Sequence, residues 1–286
     1  MEIKKLSKKE FPKALLELPQ PPKDLWVLGE MPPENLIYLC IVGSRKFTSY
    51  GREACEKIIA GLRGYPIVVV SGLAMGIDAI AHRKALSVGL KAMVFPGSGL
   101  HPSAMYPKTN VQLAKEVVSG GGCLVSEFEP DFKATLWGFP MRNRLMAGIS
   151  KATLVIEAAE RSGTTITARL ATEYNRDLLV VPGSIFSPNS AGTNRLLRSG
   201  ATPVTCSDDV LEALGFERPK DEEKQKKLFA DLSPEEKIVT TLLREPMPRD
   251  DLIRAMKMNI PTANALLSVM EIKGLIKEEM GEIKLA

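Results

Sequence analysis

Three arginines stand where the sequence is richest in glycine and small hydroxyl residues. Arg45 closes the turn Gly43-Ser44-Arg45 directly after an apolar run, and Arg142 and Arg144 bracket Asn143 in FPMRNRLMAGIS, residues 139–150. The planar guanidinium fork suits recognition of phosphate. Pro140 fits the first turn of a helix, where its missing N–H costs little. Cations near a helix N-terminus oppose the dipole, so the arginine pair requires an anion or a carboxylate from elsewhere in the fold. Residues 142 and 144 lie roughly 200° apart on a helix. One of them is therefore expected to await an anion while the other is held inside the fold, with Glu127 as its candidate partner.

The glycines cluster in turns that follow apolar runs: GSR (43–45), SGLAMGID (71–78) with Ser71 and Gly72, PGSGL (96–100), RSGTTITA (161–168) and PGS (182–184). Glycine lets a backbone approach a ligand closely, and a helix start offers free N–H groups to an anion. The strongest such turn is Ser162-Gly163-Thr164-Thr165. Aromatic residues lie beside the arginine pair: Trp137 and Phe139 just before it, Phe128 and Phe132 earlier. A positive groove with an aromatic ring beside it is a common platform for single strands, although Phe128 reads as core. Acid–base chemistry is thinly represented. His82 sits inside the helical pattern IDAIAHRKAL as a structural group, His101 in a loop, and Asp78 near a helix start, where a carboxylate caps. The sequence shows no paired carboxylates, no metal-ligand spacing and no activated serine or cysteine.

The elements that must position these residues alternate. Apolar β-runs at 36–42, 67–71, 91–96, 123–128, 152–158 and 178–183 are separated by helical patterns, and a weaker unit follows over 192–215. Strands that are apolar throughout argue an α/β fold with a parallel sheet buried by helices on both faces. In such a sheet the glycine turns share the carboxyl edge, where open α/β sheets bind ligands. The dinucleotide fingerprint GxGxxG and the P-loop GxxxxGK[ST] are both absent.

At 286 residues, 44% hydrophobic and 25% charged, the chain has the composition of a globular protein. No apolar run approaches the roughly 20 residues of a membrane helix. The basic N-terminal stretch lacks the apolar core of a signal peptide, and the four scattered cysteines read as reduced thiols, so a cytoplasmic protein is expected. Residues 1–36 read as a Pro-rich extended lead-in outside the domain, 37–215 as the α/β domain, and 216–231 as a charged linker. Residues 232–286 read as a small winged helix-turn-helix. Residues 37–215 carry 19 Lys/Arg against 14 Asp/Glu, whereas 232–286 carry 8 against 9. A polyanion is therefore expected on the central domain. The third helix of the last unit, within PTANALLSVMEIKG, offers only Lys273. That argues against duplex binding, which depends on phosphate neutralisation, and for a protein contact.

The ordered set VGSR (42–45), SGLAMGIDAIAH (71–82), PGSGLHPSAMYP (96–107), SEFEP (126–130), FPMRNRLMAGIS (139–150), EAAERSGTTITARLA (157–171), VPGS (181–184) and AGTNRLLRSGA (191–201) resembles the DNA processing protein A family, DprA/Smf. The resemblance covers about 37–215 and part of the lead-in. It implies a Rossmann-like domain with a mostly parallel sheet, in a dimeric, non-catalytic protein that binds single-stranded DNA, protects it during natural transformation and helps load the RecA recombinase, with no cofactor. By motif, it implies a DNA site formed by Gly43, Ser44, Arg45, Ser71, Gly72, Phe139, Arg142, Asn143 and Arg144. Ser162, Gly163, Thr164, Thr165 and Asn194 would complete it. A lysine common three residues before the phenylalanine is Leu136 here, with Lys133 as its substitute. The N-terminal helical domain frequent in the family does not fit within 36 residues. The dimer interface is expected near 195–214.

A rival reading comes from Rossmann-like hydrolases of nucleoside 5′-monophosphates, whose PGGxGTxxE motif the turn SGTTIT resembles. The position of the catalytic glutamate is Thr167, which cannot serve as acid or base.

Overall fold

The computed structural model describes residues 2–217, 232–243, 245–279 and 281–285. The chain divides into two compact units, Met1–Glu217 and Arg218–Ala286.

The first unit is built on a nine-stranded sheet. Its parallel body comprises β3 (Ile37–Val42), β4 (Ile67–Ser71), β5 (Lys91–Val94), β6 (Cys123–Ser126), β7 (Ala152–Val155), β8 (Asp177–Val180) and β9 (Thr202–Pro203). Two strands from the lead-in, β1 (Ile3–Lys5) and β2 (Trp26–Gly29), run antiparallel beside β6. The order is β1-β2-β6-β5-β4-β3-β7-β8-β9. The chain therefore winds outward from β3 in one direction through β4, β5 and β6. It then returns to the other side of β3 with β7. The switch point lies between β3 and β7, where α/β sheets open a crevice for ligands.

Period-two alternation on the central strand sends its residues to two cores. Tyr38, Cys40 and Val42 face a layer that includes Leu145, Met146 and Ile149 of α5 (Gly138–Ile149) and Ala168 of α6 (Gly163–Glu173). Leu39 and Ile41 face Cys55, Ile58 and Ile59 of α2 (Ser49–Gly61) and Ile77, Ile80 and Ala81 of α3 (Ile77–Ser87). A third cluster holds α4 (Val111–Ser119) against Ala92, Val94 and Leu124. Helices therefore cover both faces of the sheet, as strands apolar throughout require. Burial lifts the Cys40 and Cys123 thiols to about 12, so both stay protonated.

The expectation of an extended lead-in outside the domain is overturned. Leu6, Phe11, Leu15, Leu18, Leu25 and Val27 are buried in the same core as β3 and α5. Prolines set the extended path between them, and the apolar residues fix that path to the domain. A short helix α1 (Lys13–Leu16) lies within it.

Helices α7 (Ala191–Arg198) and α8 (Ser207–Ala213) end the first unit, and in the second unit Ser233 caps α9 (Pro234–Leu242), accepting a hydrogen bond from the Glu236 N–H at 3.2 Å. Helices α10 (Arg249–Ala255) and α11 (Ile260–Ile272) follow, then a ribbon of β11 (Ile276–Glu279) and β12 (Glu282–Leu285). A two-residue strand β10 (Met247–Pro248), unmarked in the sequence pattern, pairs with β12. Most of the expected charged linker, residues 218–231, lies outside the described residues.

Leu25 is fully buried. Its replacement by alanine should cost about 3 kcal/mol, as at other core leucines. Urea unfolding of Leu25→Ala checks this; a loss under about 0.5 kcal/mol would return the lead-in to the periphery.

Candidate nucleic-acid interface

A cavity of about 500 Å³ opens at the switch point. The turn after β3 supplies Gly43, Ser44, Arg45 and Lys46; the turn after β7 and the start of α6 supply Ala159, Ser162, Gly163 and Thr164. Between them α5 contributes Phe139, Arg142, Asn143 and Met146, one face of a helix at three- and four-residue spacing. Gly43 must be glycine because a Cβ there would run into Ile77.

Arg45 is exposed, and its guanidinium lies 5.4 Å from the centre of the Phe139 ring. Tyr106 is a further neighbour, its ring 5.9 Å from Phe139. The site therefore presents an exposed cation over an aromatic face, with a second ring beside it. Ser162 precedes the first turn of α6, and its hydroxyl oxygen is buried without a hydrogen-bond partner. An anion in the cavity meets the N-terminus of α6.

The arginine pair is disposed differently from expectation. Both side chains are buried and both are held inside the fold. Arg142 donates to the Phe95 carbonyl and lies directly against Gly72, where a Cβ would collide with it. Desolvation lowers its pKa to about 10, with the nearby Asp78 carboxylate opposing that shift. It remains a cation at neutral pH. Asp78 accepts from the Gly72 N–H at 3.1 Å and is pushed upward by burial, against the pull of Arg142. Asp78 is therefore Arg142's counter-charge in the cavity wall as well as a residue of a helix start. Arg144 is paired with Glu127 and donates to the Gln20 carbonyl at 2.7 Å. The candidate partner named from sequence is thus in contact with Arg144. Neither guanidinium waits open for an anion, because a buried cation without acceptors is too costly. The exposed cations in the cavity wall are Arg45 and Lys46.

Other expected site residues separate from the cavity. Ser71 is fully buried and donates to the Ile41 carbonyl at 2.6 Å. Gly72 lines an adjoining cleft with Arg45, Tyr106 and Phe139. Thr165 donates back to the Ser162 carbonyl at 2.7 Å, inside its own turn. Asn194 holds Gly183, accepting from its N–H and donating to its carbonyl. Lys133 is exposed on the loop before α5 but does not line the cavity. Two lining residues escaped the sequence reading. Lys46 directly follows Arg45 and was legible as a second cation. Asn189 arrives from a distant loop, donating to the Lys46 carbonyl at 2.6 Å, and nothing local signals it.

Among the described residues no group of three metal-ligating side chains gathers, and no helix is long and apolar enough to cross a membrane. Thr167 lines the cavity but brings no carboxylate to it. In the second unit the exposed positions of α11 include Thr262, Ala265, Ser268, Val269 and Ile272, a face without charge.

Fold and site define a doubly wound α/β protein with a cationic, aromatic-walled crevice at its switch point, followed along the chain by a winged helix unit. The family model for DNA recombination-mediator protein A matches residues 2–215, and that for the DprA winged helix domain matches 222–282. The chain belongs to the DNA recombination-mediator protein A family. It is 38% identical to the protein Smf of Escherichia coli over 72% of this chain, a stretch that spans 54% of that relative. DNA processing protein A from Streptococcus pneumoniae superposes with a TM-score of 0.69 at 36% identity, covering 76% of this chain and 75% of that one. The same protein from Helicobacter pylori, described for its single-stranded DNA binding mode, gives 0.67 at 30% identity, covering 74% and 95%.

Two outcomes test this geometry. Arg142→Met leaves Asp78 without its counter-charge and the Phe95 carbonyl without its donor. It should cost about 3 kcal/mol, whereas Arg45→Ala should cost under about 0.5. Equal losses in urea titrations would show that Arg142 is not held as described. His82, buried on α3, has its pKa drawn down by desolvation from 6.5 to about 4. Its contribution is present above pH 6.5 and is lost as pH falls toward 4, because the unfolded chain takes up the proton first. His82→Gln should therefore flatten the fall in stability across that window, and parallel pH profiles would assign the fall to other groups.

Proposed function

We propose that the cavity between β3 and β7 binds single-stranded DNA without chemical turnover, and that the chain acts as a homodimer that protects such DNA and helps deliver it to the RecA recombinase. The observation that carries the binding step is Arg45 over Phe139 at the cavity mouth. The cation takes a phosphate, the ring takes a base, and the start of α6 with Ser162 takes a neighbouring phosphate. Buried Arg142 holds a fixed positive charge in the wall behind them. Gly43, Ser44, Asn143, Gly163 and Thr164 shape the same wall. Weak sequence preference follows, because every base has a face to stack. The Helicobacter pylori relative, described for its single-stranded DNA binding mode, supports single-stranded DNA as the ligand class. The uncharged face of α11 favours a protein contact for the winged helix unit over duplex binding.

Arg45→Ala is the discriminating variant, since it removes an exposed cation without disturbing the core. Fluorescence anisotropy of a labelled oligonucleotide at several salt concentrations should give weaker binding. The slope of log K against log salt should be shallower by about 0.7, the share of one phosphate on a single strand. Wild-type binding with equal affinity for duplex, or an unchanged slope in the variant, would move the phosphate contacts elsewhere.

A further inference from the structure

On the other side of the start of α5 lies an aromatic cluster that the cavity does not use. Phe128 and Phe132 are stacked with ring centres 4.4 Å apart, and Trp137 stands edgewise to both at 5.6 and 5.4 Å. Trp137 is 54% exposed and its neighbour Leu136 is 90% exposed. A large apolar surface left in water in this way calls for a partner.

The cluster is held firmly. The Gly99 N–H donates to the Phe132 carbonyl at 2.8 Å, and the His101 N–H donates to the Pro130 carbonyl at 2.9 Å. A Cβ on Gly99 would collide with the carbonyls of Glu129 and Pro130. The two loops are therefore glued along their backbones, and the rings need little ordering on contact.

The cluster is also continuous with the cavity. Gly97 packs on the Phe139 ring, which walls the cavity, and Gly138 lies against Gly97 on one side and Phe128 on the other. Phe128 in turn walls a second hollow of about 660 Å³ bordered by Lys8, Lys23, Met141 and Arg144. Charge on the loop itself is mixed. Lys133 is exposed, as are Glu129 and Asp131, and Asp131 lies 3.2 Å from His101. Such a surface suits the face of a base better than a phosphate.

Resting on the single-strand reading of the cavity, we infer that Trp137, supported by Phe128 and Phe132, is a second base-stacking platform. A DNA strand leaving the Arg45 cavity crosses the start of α5 onto Trp137. The occupant is the same strand, one or two nucleotides further on, bound by stacking with no added ion pair.

The chain has two tryptophans, Trp26 and Trp137, so a Trp26→Phe protein emits from Trp137 alone. It is titrated with unlabelled dT oligonucleotides from about 4 to about 16 nucleotides, with affinity followed by competition anisotropy. Short oligonucleotides should bind without changing the emission, and longer ones should quench it. In the otherwise wild-type chain Trp137→Ala should weaken long oligonucleotides about tenfold, the size of one lost base stack, and Trp137→Phe should restore most of that. The salt slope should stay unchanged in both, which separates this platform from Arg45. Saturating long oligonucleotides that leave the emission unchanged would overturn the inference. So would a Trp137→Ala variant that keeps its DNA affinity but loses self-association, which would give the surface to a protein. Failure of the wild-type chain to bind any oligonucleotide would fall on the single-strand reading first, and on this platform with it.

Discussion

Arg142 is the residue on which the site is hung. Its guanidinium is withdrawn from water and held by the Phe95 carbonyl, the Gly72 backbone and the charge of Asp78. Those three partners come from the ends of β5, β4 and the start of α3. A single buried cation therefore ties α5 to the ligand edge of the sheet. Its geometry fixes where Phe139 and Asn143 can be on the same helix. Gly72 follows from this constraint, because any side chain there would occupy the guanidinium's place.

Once Arg142 is immobile, charge in the cavity has two kinds. The wall carries the buried Arg142 cation beside its counter-charge Asp78, and this source loses no side-chain entropy on binding because it is already ordered. The mouth carries Arg45 and Lys46, long exposed side chains that can adapt to an anion. Specific sequence recognition needs base edges to be read by rigid donors and acceptors. Here the rigid cation faces the protein and the adaptable ones face outward, an arrangement suited to grip without discrimination. Glu157 stiffens the same edge from behind, accepting from both the N–H and the hydroxyl of Thr48 at the start of α2.

Much of this was legible from residue order. Apolar runs separated by helical patterns gave the sheet body, and the glycine turns gave its ligand edge, because short strand-to-helix turns leave few other residues possible. The Glu127–Arg144 pair was legible too, since two arginines on opposite sides of one helix cannot share a role. What sequence could not give was burial. Ser71, Arg142 and Asn194 have the chemistry of ligand contacts, yet they spend it on Ile41, Phe95 and Gly183. Only the three-dimensional path decides whether a donor meets solvent or a carbonyl. The lead-in misled for a related reason. Its prolines keep the helix and strands there short, and the irregular backbone between them looks peripheral until the apolar residues are found in the core.

That lead-in carries a consequence for how the molecule is made. Residues 26–29 pair with residues 123–126, across nearly a hundred intervening positions. During synthesis the earlier segment emerges long before its partner exists. Contacts so distant in sequence close late and slowly. The segment must wait as an unpaired apolar stretch, open to premature association in the interval. Its prolines and its lysines, Lys4, Lys5, Lys8, Lys9 and Lys13 among them, disfavour strand-on-strand aggregation. The composition that disguised this segment as a tether also protects the nascent chain until β6 arrives.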